Sequence, residues 1–188
     1  MSDVLPPLRK GDWMQVHSGR QFWPLDPRVD EIDIADIAHA LGMACRYAGH
    51  VLQFYSVAEH SVHICRWLHE HHEATEVQLA GLLHDAPEAY LVDVPRPVKP
   101  HLSEYSKFET RLWYAVTARF NISAHIPHVV KFADESILAD EMAQNMAPCH
   151  VPWSLRHGPL GIQLQYWSPS RAKAEFLLEF ERLTGGLQ

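Results

Sequence analysis

The sequence predicts an all-α domain of about six helices behind an irregular N-terminal arm, and three observations predict it. Apolar residues recur at helical spacing almost without interruption from residue 33 onward. Helix-start chemistry, Ser56 with Glu59 and Ser168 with Pro169, stands where two of those stripes begin. Segments that read as strands are scarce. A chain of 188 residues is of single-domain size and can bury a core without covalent staples, so residues 1–188 are read as one domain.

Residues 1–32 form the arm, and "SGRQFWPLDP" within it is aromatic and proline-rich, with room for a short β-hairpin. In "DIADIAHALGMA", Ile34, Ile37, Ala38 and Leu41 make a first helical stripe. "SVAEHSVHICRWLHEHH" opens on Ser56 and Glu59, the spacing of a capping box, and continues through Val57, Ile64 and Leu68. "EVQLAGLLHDAPEAYL" is the third helix, bent or ended at Pro87, and Pro95, Pro97 and Pro100 then forbid any continuation. "SEYSKFETRLWYAVTARF" carries Phe108, Leu112, Ala115, Val116 and Ala118 mostly on one side. "PHVVKFADESILADEMAQNM" opens at Pro127. After an irregular stretch at 147–167, "SPSRAKAEFLLEFERLTGG" is capped by Ser168, started by Pro169 and stopped by Gly185.

Composition narrows the function. Sixteen Lys and Arg against 23 Asp and Glu give a net charge of −7, which argues against a broad nucleic-acid-binding face. No apolar run approaches the roughly 20 residues of a membrane span, and the first residues lack a signal-type apolar stretch, so a cytoplasmic protein is expected. Cys45, Cys65 and Cys149 are far apart and form no CxxC pair, which fits small buried apolar residues better than a disulfide framework or thiolate zinc site. Histidine is abundant, at 14 copies, but the run "HEHH" at 69–72 ends a helix, where imidazoles suit the dipole and face water.

"LLHDAPEAYLVDVPRPVKP" is different, because an apolar helix there acquires His84, Asp85, Glu88 and Asp93. Burying four such groups costs several kcal/mol, roughly, unless partners or a metal compensate. In a histidine-rich chain a His-Asp pair alone is weak. Here neighbouring His84 and Asp85 can reach one ion lying off the helix, and Glu88, at helical spacing from both, shares their face. A tightly held metal needs three or four ligands. His60, early in the second helix, and Asp134, set among Val130, Phe132, Ala133 and Ile137 in the fifth, are the candidates to complete the set. Judged alone, Arg46 reads equally as a surface arginine, and Tyr47 equally as core.

The pattern "EHS … HDAPEAYLVDVP … ADE" resembles the HD superfamily of metal-dependent phosphohydrolases. More closely, "DIADIAHAL", "CRYAGH", "FYSVAEHS", "LLHDAPEAYLVDVPRPVK" and "VKFAD" resemble the small single-domain branch that holds bacterial 5′-deoxynucleotidases and phage dATP triphosphohydrolases, over roughly residues 18–145. The resemblance implies a helical HD domain in which His60, His84, Asp85 and Asp134 ligate a metal. It makes Glu88 the acid/base, Asp93 a second acidic group orienting water or substrate, and Arg46 a contact to the phosphate beside the scissile bond. Lys99 and Lys131 become phosphate contacts, and Pro95 packs near the base. Tyr47 stands where members usually have a tryptophan that closes the space beside the sugar 2′ carbon.

Two imidazoles and two carboxylates suit Mn²⁺, Co²⁺, Fe²⁺, Ni²⁺ or Zn²⁺, and Mg²⁺ is allowed at a second site. The expected activity is hydrolysis of a deoxynucleoside triphosphate of the dATP type, releasing deoxynucleoside and triphosphate. The alternatives are a 5′-deoxynucleotidase acting on monophosphates and, from another class, a non-catalytic metal-bound nucleotide sensor. The partners expected are the nucleotide and further copies of the chain, because aromatic and leucine-rich outer helices suggest a homo-oligomer, a dimer or a dimer-based hexamer.

Overall fold

In a computed structural model that describes residues 8–185, the arm folds as a two-residue-per-strand hairpin, β1 (Met14–Gln15) antiparallel to β2 (Gln21–Phe22). It is anchored because Phe22 is buried and stacks on Tyr90 at 4.0 Å between ring centroids. Seven α-helices follow among the described residues, one of them a single turn. They are α1 (Ile34–Met43), α2 (Val57–Glu70), α3 (Thr75–Leu83), α4 (Glu88–Leu91), α5 (Ser103–Phe120), α6 (His128–Asn145) and α7 (Pro169–Thr184). The domain is mostly helical, as the patterning requires.

The helix ends follow their caps. The Asp33 carboxylate accepts from the Ala35 amide, and the Ser168 hydroxyl accepts from Arg171. Asn121 and Gly185 end α5 and α7 in left-handed conformations. At α2 only half of the capping box forms. Ser56 Oγ accepts from the Glu59 amide, but the Glu59 carboxylate turns away to accept from the backbone N–H groups of Gln165, Tyr166 and Trp167 at 2.6–2.9 Å. On α6, Asp140 accepts in the same way from Leu160, Gly161 and Ile162. These two buried carboxylates strap the irregular 147–167 segment across α2 and α6, satisfying backbone donors that would otherwise be orphaned.

Helix α2 is the axis of the fold, packed against α1, α3, α6 and α7. Gly81 permits a close approach of α3 to α2, since a Cβ there would collide with the side chain of Leu68 on α2. A larger apolar core joins α1, α2, α3, α5 and α7. A smaller one, with Ile64, Leu68, Ala80, Val130, Ala133 and Ile137, fills the α2–α3–α6 junction. On α5 the buried side is Leu112, Trp113, Ala115, Val116 and Thr117, and Ala118, expected on that side, is exposed. All three cysteines are free. Only Cys65 is buried, whereas Cys149 lies exposed in the irregular segment, where no core is at hand to cover it. His71 accepts the expected exposed place at the end of α2, its ring stacked on Trp67. No helix among the described residues is long and apolar enough to cross a membrane.

Candidate metal centre

The α2–α3–α6 junction brings together side chains far apart in sequence. His60 stands in the first turn of α2, His84 and Asp85 follow the last residue of α3, and Asp134 lies on α6 between core residues Ala133 and Ile137. His84 and Asp85 are not inside a helix, as the apolar run suggests. Regular α-helix stops at Leu83, because Pro87 has no N–H to donate and its ring crowds the carbonyl four residues back. Tight turns replace it, with the Ala86 amide donating to Leu83 O at 2.8 Å and the Glu88 amide to Asp85 O at 2.9 Å. Glu88 then opens α4. In this turn His84 Nε2 and Asp85 Oδ2 come within 3.2 Å.

His60 Nε2 lies 3.2 Å from Asp134 Oδ1 and 3.6 Å from Asp85 Oδ2, and His84 Nε2 lies 3.8 Å from Asp134 Oδ1. Donor atoms held about 2.0–2.2 Å from one ion stand roughly 3–4 Å apart, so the spacing fits a shared cation. One donor atom each from His60, His84 and Asp134 falls within 4.8 Å of the others. Both Nε2 atoms are buried and lack a hydrogen-bond partner. The opposite ring nitrogens are engaged: His60 Nδ1 with Glu141 Oε1 at 2.8 Å, and His84 Nδ1 with Gly81 O at 2.8 Å. Because a carboxylate and a carbonyl only accept, each Nδ1 carries the hydrogen, and each Nε2 can present a lone pair inward.

Charges around the centre reinforce this. Burial opposes ionisation of Asp85, but His84 and His60 facing it hold its pKa down at about 2. Burial likewise opposes a charged Asp134, and the two imidazoles hold it well below the usual carboxylate range. Burial and Arg46 disfavour a charged His60, and Glu141 and Asp134 outweigh them, leaving its pKa raised. The two carboxylates make the pocket attractive to a cation, whether a proton or a metal ion.

Glu141 is the side chain of this candidate site that the sequence alone does not single out. Fully buried, it accepts from Arg46 Nη2 at 3.1 Å and from the Tyr47 hydroxyl as well as facing His60. Its signal is positional: it falls seven residues after Asp134, two turns along the same face of α6, where an apolar residue would be expected. Arg46 is buried rather than a surface arginine, with Nη1 3.8 Å from Asp85 Oδ2. Tyr47 and Ala48 adopt left-handed backbone at φ 56° and 52°. Such residues cost on the order of 1–3 kcal/mol each and persist where the surroundings dictate them. Here Glu141 holds the Tyr47 hydroxyl, and Trp153 packs on its ring at 5.7 Å.

Glu88 is buried, and its Oε2 has no hydrogen-bond partner. Burial, then the charges of Asp85 and Asp93, push its pKa up to about 9, so it keeps its proton at neutral pH. Asp93 follows Val92, a β-branched residue at φ 72°, and burial raises its pKa too. A cavity of about 440 Å³ opens beside His84, Asp85 and Glu88, and both Lys99 and Lys131 line it. Lys99 Nζ is already paired with Glu109 at 2.6 Å. Arg46, Tyr47, Asp93 and Pro95 are not among the cavity's lining residues; Pro95 is exposed and starts a turn in which the Val98 and Lys99 amides donate to its carbonyl.

No family model matches the sequence. The chain is 36% identical over 129 residues to the uncharacterized protein YfdR of Escherichia coli K12, a match covering 69% of this chain and 70% of that protein. It is 38% identical over 129 residues to an uncharacterized protein of Rhodobacter capsulatus, with 66% of each covered, just under two thirds.

Proposed function

We propose that this chain, which belongs to the same family as Escherichia coli YfdR, is a divalent-metal-dependent phosphohydrolase of the HD type that acts on deoxynucleotides. One observation carries the metal. Two buried imidazole Nε2 atoms without partners face two carboxylates, and each Nδ1 is fixed by an acceptor. His60, His84, Asp85 and Asp134 would hold the ion, and their mixed nitrogen–oxygen chemistry suits Mn²⁺, Co²⁺, Fe²⁺, Ni²⁺ or Zn²⁺. When bound, such an ion supplies Lewis acidity and lowers the pKa of water toward about 7.

The chain's own residues supply the rest. Glu88 lines the cavity, and its burial favours the protonated carboxyl, so it would give its proton to the oxygen that leaves phosphorus and regain one from the water that adds. Arg46, held by Glu141 beside Asp85, offers positive charge to a phosphoryl oxygen. Asp93 orients water or substrate from the neighbouring loop. The buried proton donor favours an enzyme over a nucleotide sensor, which has no use for one.

Lys99 and Lys131 on one cavity favour a long phosphate chain, hence hydrolysis of a deoxynucleoside triphosphate of the dATP type to deoxynucleoside and triphosphate. The Lys99–Glu109 pair favours the second reading, a 5′-deoxynucleotidase, because it leaves Lys131 as the unpaired lysine of the two. Protein loaded with Co²⁺ or Mn²⁺ and supplied with dATP, dGTP and dAMP separates them. Free triphosphate supports the first, orthophosphate from the monophosphate alone supports the second, and no phosphate product under any metal overturns both. A cytoplasmic location and a dimer or dimer-based hexamer belong to the same proposal, the latter testable by light scattering.

A further inference from the structure

The cavity has a second wall, remote in sequence from the metal-binding residues. Thr110, Trp113 and Tyr114 on α5 form it with His125 and Ile126 of the loop that follows. Trp113 is buried, and its Nε1 donates to Ala124 O at 2.7 Å, which pins that loop to the helix. Tyr114, in contrast, lines the cavity as a large aromatic side chain that is 59% exposed. Thr110 Oγ1 donates its hydrogen to Ser106 O at 2.8 Å, so the hydroxyl meets a ligand only as an acceptor, through its lone pairs. His125, exposed beside it, adds a group that both donates and accepts.

Charge is already balanced on this side, since Glu109 neutralises Lys99. Uncompensated positive charge in the cavity lies instead with Lys131, on the α6 side near Asp134. A substrate with an anionic end and a flat, hydrogen-bonding end therefore has one orientation that matches both walls. Resting on the function proposed above, we propose that the α5 wall is the nucleobase seat, with the Tyr114 ring as its stacking platform. Thr110 and His125 meet the edge of the base, and the phosphate points to His84, Asp85 and Lys131. This places base recognition on α5 rather than at Pro95, which lies outside the cavity. Stacking on one aromatic ring tolerates every base, so Tyr114 governs affinity, and the edge contacts govern preference.

The test uses non-hydrolysable phosphonate analogues of dAMP and of 2-deoxyribose 5-phosphate, titrated by calorimetry into the Mn²⁺-loaded full chain. Wild-type protein is expected to bind the base-containing analogue at least about tenfold more tightly than the base-less one. Tyr114→Phe keeps that difference, whereas Tyr114→Ala removes most of it without altering manganese content. Equal binding of the two analogues by wild type, or an undiminished preference in Tyr114→Ala, overturns the inference while leaving the hydrolase reading to stand on turnover of dAMP or dATP. Loss of preference in Tyr114→Ala with no hydrolysis of any nucleotide overturns the enzyme and keeps the base seat. No binding of either analogue overturns both.

Discussion

His60 Nδ1 and Glu141 Oε1 stand 2.8 Å apart, both side chains fully excluded from water. The contact fixes which imidazole nitrogen carries the hydrogen, and so directs the lone pair of Nε2 at Asp134 and Asp85. The same carboxylate holds Arg46 and Tyr47, which ties the candidate metal ligands to the strained 46–48 turn.

Glu141→Gln preserves shape but offers an amide that can donate to Nδ1 and so favour the other tautomer. Metal affinity measured by chelator competition should fall about 10–100-fold. Unchanged affinity in a folded variant would show that Glu141 serves only to hold Arg46 and Tyr47.

Glu88→Ala removes the proposed proton donor and leaves the four candidate ligands in place. Bound metal should remain stoichiometric, and turnover should drop several hundredfold, roughly the scale of general acid–base catalysis. Full activity in this variant would withdraw the role assigned to Glu88.

Gly81→Ala inserts a methyl group against Leu68 and so pushes α3 from α2. The cost should be about 1–3 kcal/mol in denaturant unfolding. Because Gly81 O also accepts from His84 Nδ1, metal affinity should weaken in parallel. A variant as stable as wild type would mean that α3 can shift freely.

Glu179 joins α7 to α2, accepting from Arg66 at 2.6 Å and from Arg182 at 2.8 Å. Burial opposes its charge, but the two arginines outweigh it and lower its pKa. With the folded pKa depressed, its stabilisation is present above the ordinary glutamate value of roughly 4.3 and is lost as pH falls through the folded value. Glu179→Gln should therefore destabilise by about 1 kcal/mol at pH 7, with the gap to wild type closing in acid. A gap that does not narrow between pH 7 and pH 3 would contradict the ion pair.

Helix limits were legible because local chemistry sets them: Ser168, Pro169 and Gly185 bound α7, and Pro127 opens α6. Convergence of His60, His84, Asp85 and Asp134 could be anticipated from the cost of charge in apolar stripes. Tertiary demands decided the rest. Glu59 carries a local capping signal, yet three backbone amides of the distant strap claim its carboxylate. Glu141 has meaning only once α6 lies against His60 and Arg46. The Lys99–Glu109 pair depends on how the proline-rich loop meets α5, which no short-range pattern encodes.

Elemental analysis of protein purified without chelators tests the central claim most directly. About one divalent transition ion per chain is expected in wild type, with near-complete loss in His60→Ala and Asp134→Ala variants that still fold. Folded wild-type protein that contains no such ion, and takes up none when Mn²⁺, Co²⁺, Fe²⁺, Ni²⁺ or Zn²⁺ is supplied, would contradict it.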